Sequence, residues 1–187
     1  MILNQNNEYA AVLDACVLAP MPLCDTLLRL AEDPAFYRPL WSEEILREVG
    51  DVIERKLGYT REQRDRRLAA MTKAFPEALV QIPAKLDSFC CPDEKDRHVL
   101  AAAVRGQANA IVTRNTKHFP QDCIEEYGLL CQTPDDFLIH QFYLNPPLVV
   151  DKMDQQAAVR QKTRGDLIQS LQKVTPQFAD LVRKYSI

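Results

Sequence analysis

Nowhere in this 187-residue chain do about 18 uncharged apolar residues run together, the length a membrane-spanning helix requires. The opening residues, Met1-Ile2-Leu3-Asn4-Gln5-Asn6-Asn7, have neither the basic start nor the apolar stretch of an export signal. Membrane insertion and secretion are therefore disfavoured, and a cytoplasmic protein is expected. The six cysteines, Cys16, Cys24, Cys90, Cys91, Cys123 and Cys131, contain no C-x-x-C pair. None of them combines with His98, His118 or His140 at zinc-ligand spacing. Free thiols are the expectation, not disulfides or structural zinc. Internal repeats and low-complexity tracts are missing as well.

What is present is an ordinary globular composition, 47% hydrophobic, in a chain long enough for one α/β core and a small extension. The net charge of −3 conceals an asymmetry. Residues 151–187 hold seven Lys/Arg against four Asp, a balance of +3, which leaves −6 on the first 150. Within that acidic part, Arg61, Arg64, Arg66, Arg67 and Lys73 outnumber Glu62 and Asp65 on one helix. Phosphate contacts beside a carboxylate site would use such a patch, and a solvated helix face with i,i+4 ion pairs would look the same.

Periodicity predicts a strand at 9–13, a helix over 22–31 and a short extended piece at 38–41. A helix capped by Ser42 runs to about 56 and is closed by Gly58, and a second, basic helix starts at Thr60. A short strand near 79–82 and a turn at Cys91-Pro92-Asp93 lead into a helix over 94–105. Strands at 110–113 and 129–131 follow, then a helix capped by Thr133. Strands alternating with helices imply parallel strands and a three-layer α/β/α body over residues 1–144. Beyond Asn145-Pro146-Pro147, residues 145–187 read as a C-terminal helical extension: one long polar helix over 151–172 and a short one after Pro176. It has too few apolar residues for a core of its own and should pack on the body or on a partner, or keep some mobility.

Three acids sit where apolar residues are expected. Asp14 interrupts the run Val12-Leu13-Asp14-Ala15-Cys16-Val17-Leu18 at a strand exit. Asp96 shares the apolar stripe of its helix with Val99, Leu100 and Ala103, and His98 falls on the opposite, surface side. Glu48 borders the apolar face formed by Ile45, Val49 and Val52. Each has an ordinary explanation: a turn acid, a first-turn capping partner of Asp93, a solvated border residue. Together they lie on separate elements at strand ends and helix starts, where parallel sheets build their sites. Clustered carboxylates repel unless protonated, separated or neutralised by a hard cation with oxygen ligands, for which Mg²⁺ or Mn²⁺ is the natural occupant. Such a site suits phosphodiester hydrolysis.

At this point the sequence resembles the PIN-domain nucleases, the family of bacterial VapC-type toxins and related ribonucleases. The motifs that carry the resemblance are Val12-Leu13-Asp14 with Val17-Leu18, Ser42-x5-Glu48, and Asp93-x-x-Asp96-x-x-Val99-Leu100-x-Ala102. Ile111-Val112-Thr113-Arg114-Asn115-x-x-His118-Phe119-Pro120 and Thr133-Pro134-Asp135-Asp136-Phe137-Leu138 complete them, over about 130 residues in all. The extension resembles one seen in a VapC-like branch. The resemblance implies a central five-stranded parallel sheet, Mg²⁺ or Mn²⁺ dependence, and endonucleolytic cleavage of RNA by a metal-activated water. It makes Asp14 and Asp96 metal ligands, Glu48 a ligand or the base that orients water, and Thr113 and Asn115 residues lining the site. Where the family often has a fourth acid, this chain has Asn115 and His118. Asn115 can ligate weakly or hold a metal-bound water.

Arg114, Lys117 and His118 are the candidate nucleic-acid contacts, by position beside the site, although loop charges are commonly just solvated. Trp41 and Phe119 are either base-stacking platforms or core. The function implied is an endoribonuclease acting as the toxin of a type II toxin-antitoxin pair, with an RNA substrate, an antitoxin protein partner and often a homodimeric state. The alternative is a degenerate PIN module that binds RNA or a partner protein without cleavage. A purely structural interaction domain is a third reading.

Overall fold

The structure is a computed structural model that describes residues 9–83 and 93–185. Its centre is the strand β1 (Ala10–Leu13), every residue of which is buried. Parallel strands flank it on both sides: β2 (Arg38–Leu40) in the register Ala10↔Arg38 to Val12↔Leu40, and β3 (Ala110–Val112) in the register Ala11↔Ala110 to Leu13↔Val112. The strand β4 (Leu130–Gln132) pairs in parallel with β3, giving the order β2-β1-β3-β4. A strand buried on both faces gains about 1.5–3 kcal/mol from each Val, Leu or Ile it hides. That is why β1 and β3 read as unbroken apolar runs without alternation.

Four strands form the sheet among the described residues, against the five that the resemblance implies. The fifth segment is in place but minimal. Leu79 makes one parallel bridge to Trp41, with Trp41 N donating to Ala78 O and Val80 N to Trp41 O at 2.9 and 2.8 Å. The turn expected at Cys91-Pro92, and the two cysteines Cys90 and Cys91, lie outside the described residues. Cys16, Cys24, Cys123 and Cys131 are free thiols, as expected.

The helical layers follow from the caps. After β1 the chain turns into α1 (Ala15–Leu18) and α2 (Leu23–Ala31). Ser42 caps α3 (Glu43–Arg55) by accepting from Ile45 N, and a Thr60/Gln63 capping box opens α4 (Arg61–Ala74). Gly58, at φ 71, turns the chain between them, a conformation that costs other residues about 1 kcal/mol or more. The helix α5 (Arg97–Arg105), preceded by a 3₁₀ turn at Glu94–Asp96, packs on β1, on β3 and on α3. It ends at Gly106, where a Cβ would stand 2.7 Å from the Leu40 side chain. A short α6 (Gln121–Ile124) precedes β4, and Thr133 caps α7 (Pro134–Leu144).

The C-terminal stretch differs from the sequence expectation: it forms three helices, α8 (Pro146–Val159), α9 (Arg164–Leu171) and α10 (Pro176–Lys184). Asn145 and Pro146 start α8 instead of spacing it from the body, and a Thr163/Asp166 capping box inside the polar stretch forces a new start. These helices pack on the body through α2 and α7. Their contacts include buried polar ones: Thr26 Oγ1 donates to Gln156 Oε1 at 2.9 Å, and Lys152 Nζ donates to Glu32 O at 2.9 Å. Phe142 of α7 meets Phe178 and Tyr185 edge-to-face. Asp135, 8% exposed, caps α10 from α7 by accepting from Gln177 N at 3.1 Å and Phe178 N at 2.8 Å.

Replacing Asp135 by alanine strands two amide donors beside a buried ring. Asp135→Ala is expected to lower the unfolding free energy by about 2 kcal/mol, read from the urea midpoint, whereas Asp136→Ala, an exposed neighbour, costs less.

Candidate active site

The strand order reverses around β1: the chain passes from β1 to β2 on one side, then crosses back to β3 on the other. Such a switch point opens a crevice at the carboxyl ends of the two strands. Asp14 stands there, 5% exposed, its amide donating to Val112 O at 3.1 Å. Its extended backbone precedes α1, but its side chain does not cap that helix. Instead Oδ2 accepts from the Thr113 hydroxyl at 2.6 Å and from the Cys16 thiol at 3.0 Å. The buried charge is thus hydrogen-bonded and not orphaned. Burial, reinforced by Asp14, pushes the Cys16 thiol up to about 12, and the same causes in the same order push Cys131 up to about 12. Both remain protonated at any physiological pH.

Asp96 ends the 3₁₀ turn before α5. Asp93 does cap that turn, its Oδ1 accepting from Lys95 N at 3.0 Å, but Asp96 does not reciprocate. Its Oδ2 lies 2.5 Å from His118 Nδ1, and Asp93 Oδ2 lies 3.8 Å from the same nitrogen. Among the described residues, Asp93, Asp96 and His118 form the trio whose ligand atoms all fall within 4.8 Å of one another. Burial raises the pKa of Asp96, His118 opposes the shift, and the carboxylates of Asp14 and Asp93 add to it. Asp14 is thus close enough to Asp96 to bear on its ionisation.

Glu48 stands outside that trio, on α3. Its Oε2 is 3.4 Å from Nε2 of His98, whose Nδ1 lies 2.7 Å from Lys95 O. At 3.4 Å the contact is an ion pair without hydrogen-bond alignment, and Nε2 has no hydrogen-bond partner. His98 is 5% exposed, which corrects its expected surface position: α5 packs on α3 as well as on the sheet, and the ring meets Glu48 of α3. Burial works against the charged ring, but Glu48 followed by the Lys95 carbonyl outweighs it and raises the His98 pKa.

The remaining candidates divide clearly. Thr113 is fully buried and joined to Asp14, whereas Asn115 is exposed, its amide donating to Thr113 Oγ1 at 3.1 Å. Arg114 and Lys117 are exposed on the same loop. Trp41 and Phe119, 0% and 2% exposed, are core and not stacking platforms. The basic face of α4 is largely engaged: Arg64 pairs with Glu54 and Asp65, Arg66 with Glu62, and Arg67 Nη2 donates to Leu18 O. Three participants were not singled out from sequence: Cys16, His98 as the partner of Glu48, and Asp93 as a ligand-type neighbour of Asp96. For Asp93 the D-x-x-D spacing was the available signal.

A family model for the PIN domain matches residues 10–117, more than half of the chain, a range that includes Asp14, Glu48, Asp93, Asp96 and Thr113. The chain belongs to the PIN domain family. It is 42% identical to a protein of Mycobacterium tuberculosis called putative ribonuclease VapC50, in an alignment that covers 48% of this chain and 55% of that protein. The chain thus spans about half the length of that relative. A solved structure of VapBC2 from Rickettsia felis, bound to a DNA fragment from its promoter, superposes with a TM-score of 0.46 at 18% identity, over 66% of this chain and 98% of that one.

This PIN domain offers donors suited to a hard divalent cation. Oxygens of Asp93 and Asp96 lie together with His118 Nδ1, and burial, with the carboxylates of Asp14 and Asp93 adding to it, raises the Asp96 carboxyl, a cost that positive charge would relieve.

A histidine whose folded pKa is raised stabilises the fold below its unfolded value near 6.5, and loses that contribution as pH climbs through the folded value. The urea midpoint of metal-free protein is therefore expected to fall as pH rises from about 6.5, and Glu48→Gln to flatten that slope.

Proposed function

We propose that this PIN domain is a divalent-metal-dependent endoribonuclease that uses Mg²⁺ or Mn²⁺, and that it acts as the toxin of a toxin-antitoxin pair. The observation that carries the reading is that Asp14, at the switch point of a parallel sheet, lies close enough to Asp96 for its carboxylate to add to the burial that raises the Asp96 pKa. Support for an RNA substrate comes from the family and from the 42% identity to a protein named a putative ribonuclease. The toxin role and an antitoxin partner rest on the VapC-type motifs and on that relative's name. A homodimer and a cytoplasmic location belong to the same reading. Residues 145–187, whose helices pack on the body through α2 and α7, are then an extension added to the nuclease body.

Asp14 and Asp96 would hold the cation, with Asp93 or Glu48 completing the acidic set. When bound, such a cation offsets negative charge developing on a phosphodiester and makes water a better nucleophile at neutral pH. This chain's own residues supply the rest. Thr113 fixes the Asp14 carboxylate, and Glu48, held by His98, is the group to orient or deprotonate water. Arg114 and Lys117, exposed on the loop after β3, suit backbone phosphates, contacts that position a strand without reading its sequence. Asn115 and His118, in place of a further acid, lower the negative charge available for a second cation.

That substitution also favours a second reading, binding without cleavage, because His118 offers a nitrogen to Asp96 Oδ2, an oxygen a cation would use. The two readings separate on one experiment. Single-stranded RNA incubated with the protein and Mn²⁺ should be cut at internal positions. Asp14→Asn and Asp96→Asn should each reduce cutting to the level seen with chelator, with circular dichroism unchanged. Cleavage by Asp14→Asn at the parent rate sinks the nuclease assignment, and retained RNA binding with no cleavage by the parent supports the binding module.

A further inference from the structure

Cys16 is the one thiol in hydrogen-bond contact with the crevice among the described residues, and its geometry goes beyond packing. It lies in α1, two residues after Asp14, half-buried. The sulfur contacts three groups: Asp14 Oδ2 at 3.0 Å, Thr113 Oγ1 at 3.4 Å, and the amide of Arg114 at 3.2 Å.

The direction of these bonds is settled by chemistry. A carboxylate only accepts, so the thiol donates its proton to Asp14 Oδ2; a backbone amide only donates, so the sulfur accepts from Arg114. Thr113 repeats the pattern one position away. Its hydroxyl donates to the same Oδ2 at 2.6 Å and accepts from the amide of Asn115 at 3.1 Å. An ionised carboxylate oxygen has two lone-pair sites, and both sites of Oδ2 are taken by these donors. No bond among the described residues reaches Oδ1. We infer that Cys16 is a positioning residue: with Thr113 it saturates Oδ2 of Asp14, leaves Oδ1 as the single oxygen for the cation, and ties that carboxylate to the loop that carries Asn115 and His118.

This inference rests on the metal site proposed above. Donor and acceptor roles together are needed at position 16. Serine supplies both through its hydroxyl, whereas alanine supplies neither. Removing a group that orients a metal ligand typically lowers metal affinity by about 10–100-fold.

The test is calorimetric titration of Mn²⁺ into the full chain carrying Cys16→Ala, Cys16→Ser or Asp14→Asn, with thermal unfolding of the metal-free proteins alongside. Cys16→Ala is expected to bind Mn²⁺ about tenfold more weakly than the parent, and Cys16→Ser to recover most of that loss. Parent-like affinity in Cys16→Ala overturns the inference, as does equal weakening in both Cys16 variants. Asp14→Asn separates the two levels. Parent-like Mn²⁺ binding there removes the metal site itself, whereas loss in Asp14→Asn with none in Cys16→Ala removes only the role of Cys16. Should Cys16→Ala not fold, the infrared difference between the parent and Cys16→Ser isolates the S–H stretch. A band shifted to low frequency, relaxing in Asp14→Ala, supports the thiol as donor, and a band at the free-thiol position overturns it.

Discussion

The parallel pairing of β1 with β3 is the contact from which the rest of the crevice follows. It hides two apolar strands from water, and its register sets Leu13 opposite Val112. The next residue on each strand is then Asp14 and Thr113, side by side where the ladder ends. A slip of one residue would turn the carboxylate to the other face of the sheet and leave the hydroxyl without an acceptor. The hydrophobic core and the polar site are therefore one constraint: the same burial that makes the sheet stable holds an acid at its edge to within a hydrogen bond.

Around that fixed point the chain distributes charge by distance. Asp96, on the turn before α5, is near enough to Asp14 to feel its field, and His118 neutralises part of the cost from the opposite loop. Glu48 lies outside the trio of Asp93, Asp96 and His118 and faces His98, a contact that links α3 to α5. The acids do not form one compact cage. Asp14 is bonded to a hydroxyl and a thiol, whereas Asp96 and Glu48 each face an imidazole.

Much of this was legible in the sequence because burial leaves a signature. β1 is a run without a polar residue, so the acid at its end is conspicuous, and Ser42, Thr60 and Thr133 announce three helix starts that the structure keeps. The failures have physical reasons as well. A helical wheel begun at Asp96 assigns His98 to solvent, because it assumes one buried face, whereas α5 packs on α3 as well as on the sheet. The C-terminal helix was read as continuous because a Thr163/Asp166 capping box is short-range chemistry hidden inside a long polar stretch. Cys16 escaped notice since a thiol in an apolar run looks like a small hydrophobe until its neighbours in space are known.

The cap that α7 provides for α10 ties regions of different standing. Asp135 belongs to the helix that follows β4, yet both its oxygens are spent on amides more than 40 residues away. A carboxylate buried for that purpose is poorly served without them, so the body and the last helix share one thermodynamic fate. Amide exchange should register this as a single cooperative opening that includes Phe178 and the sheet's last strand, with no separately melting tail.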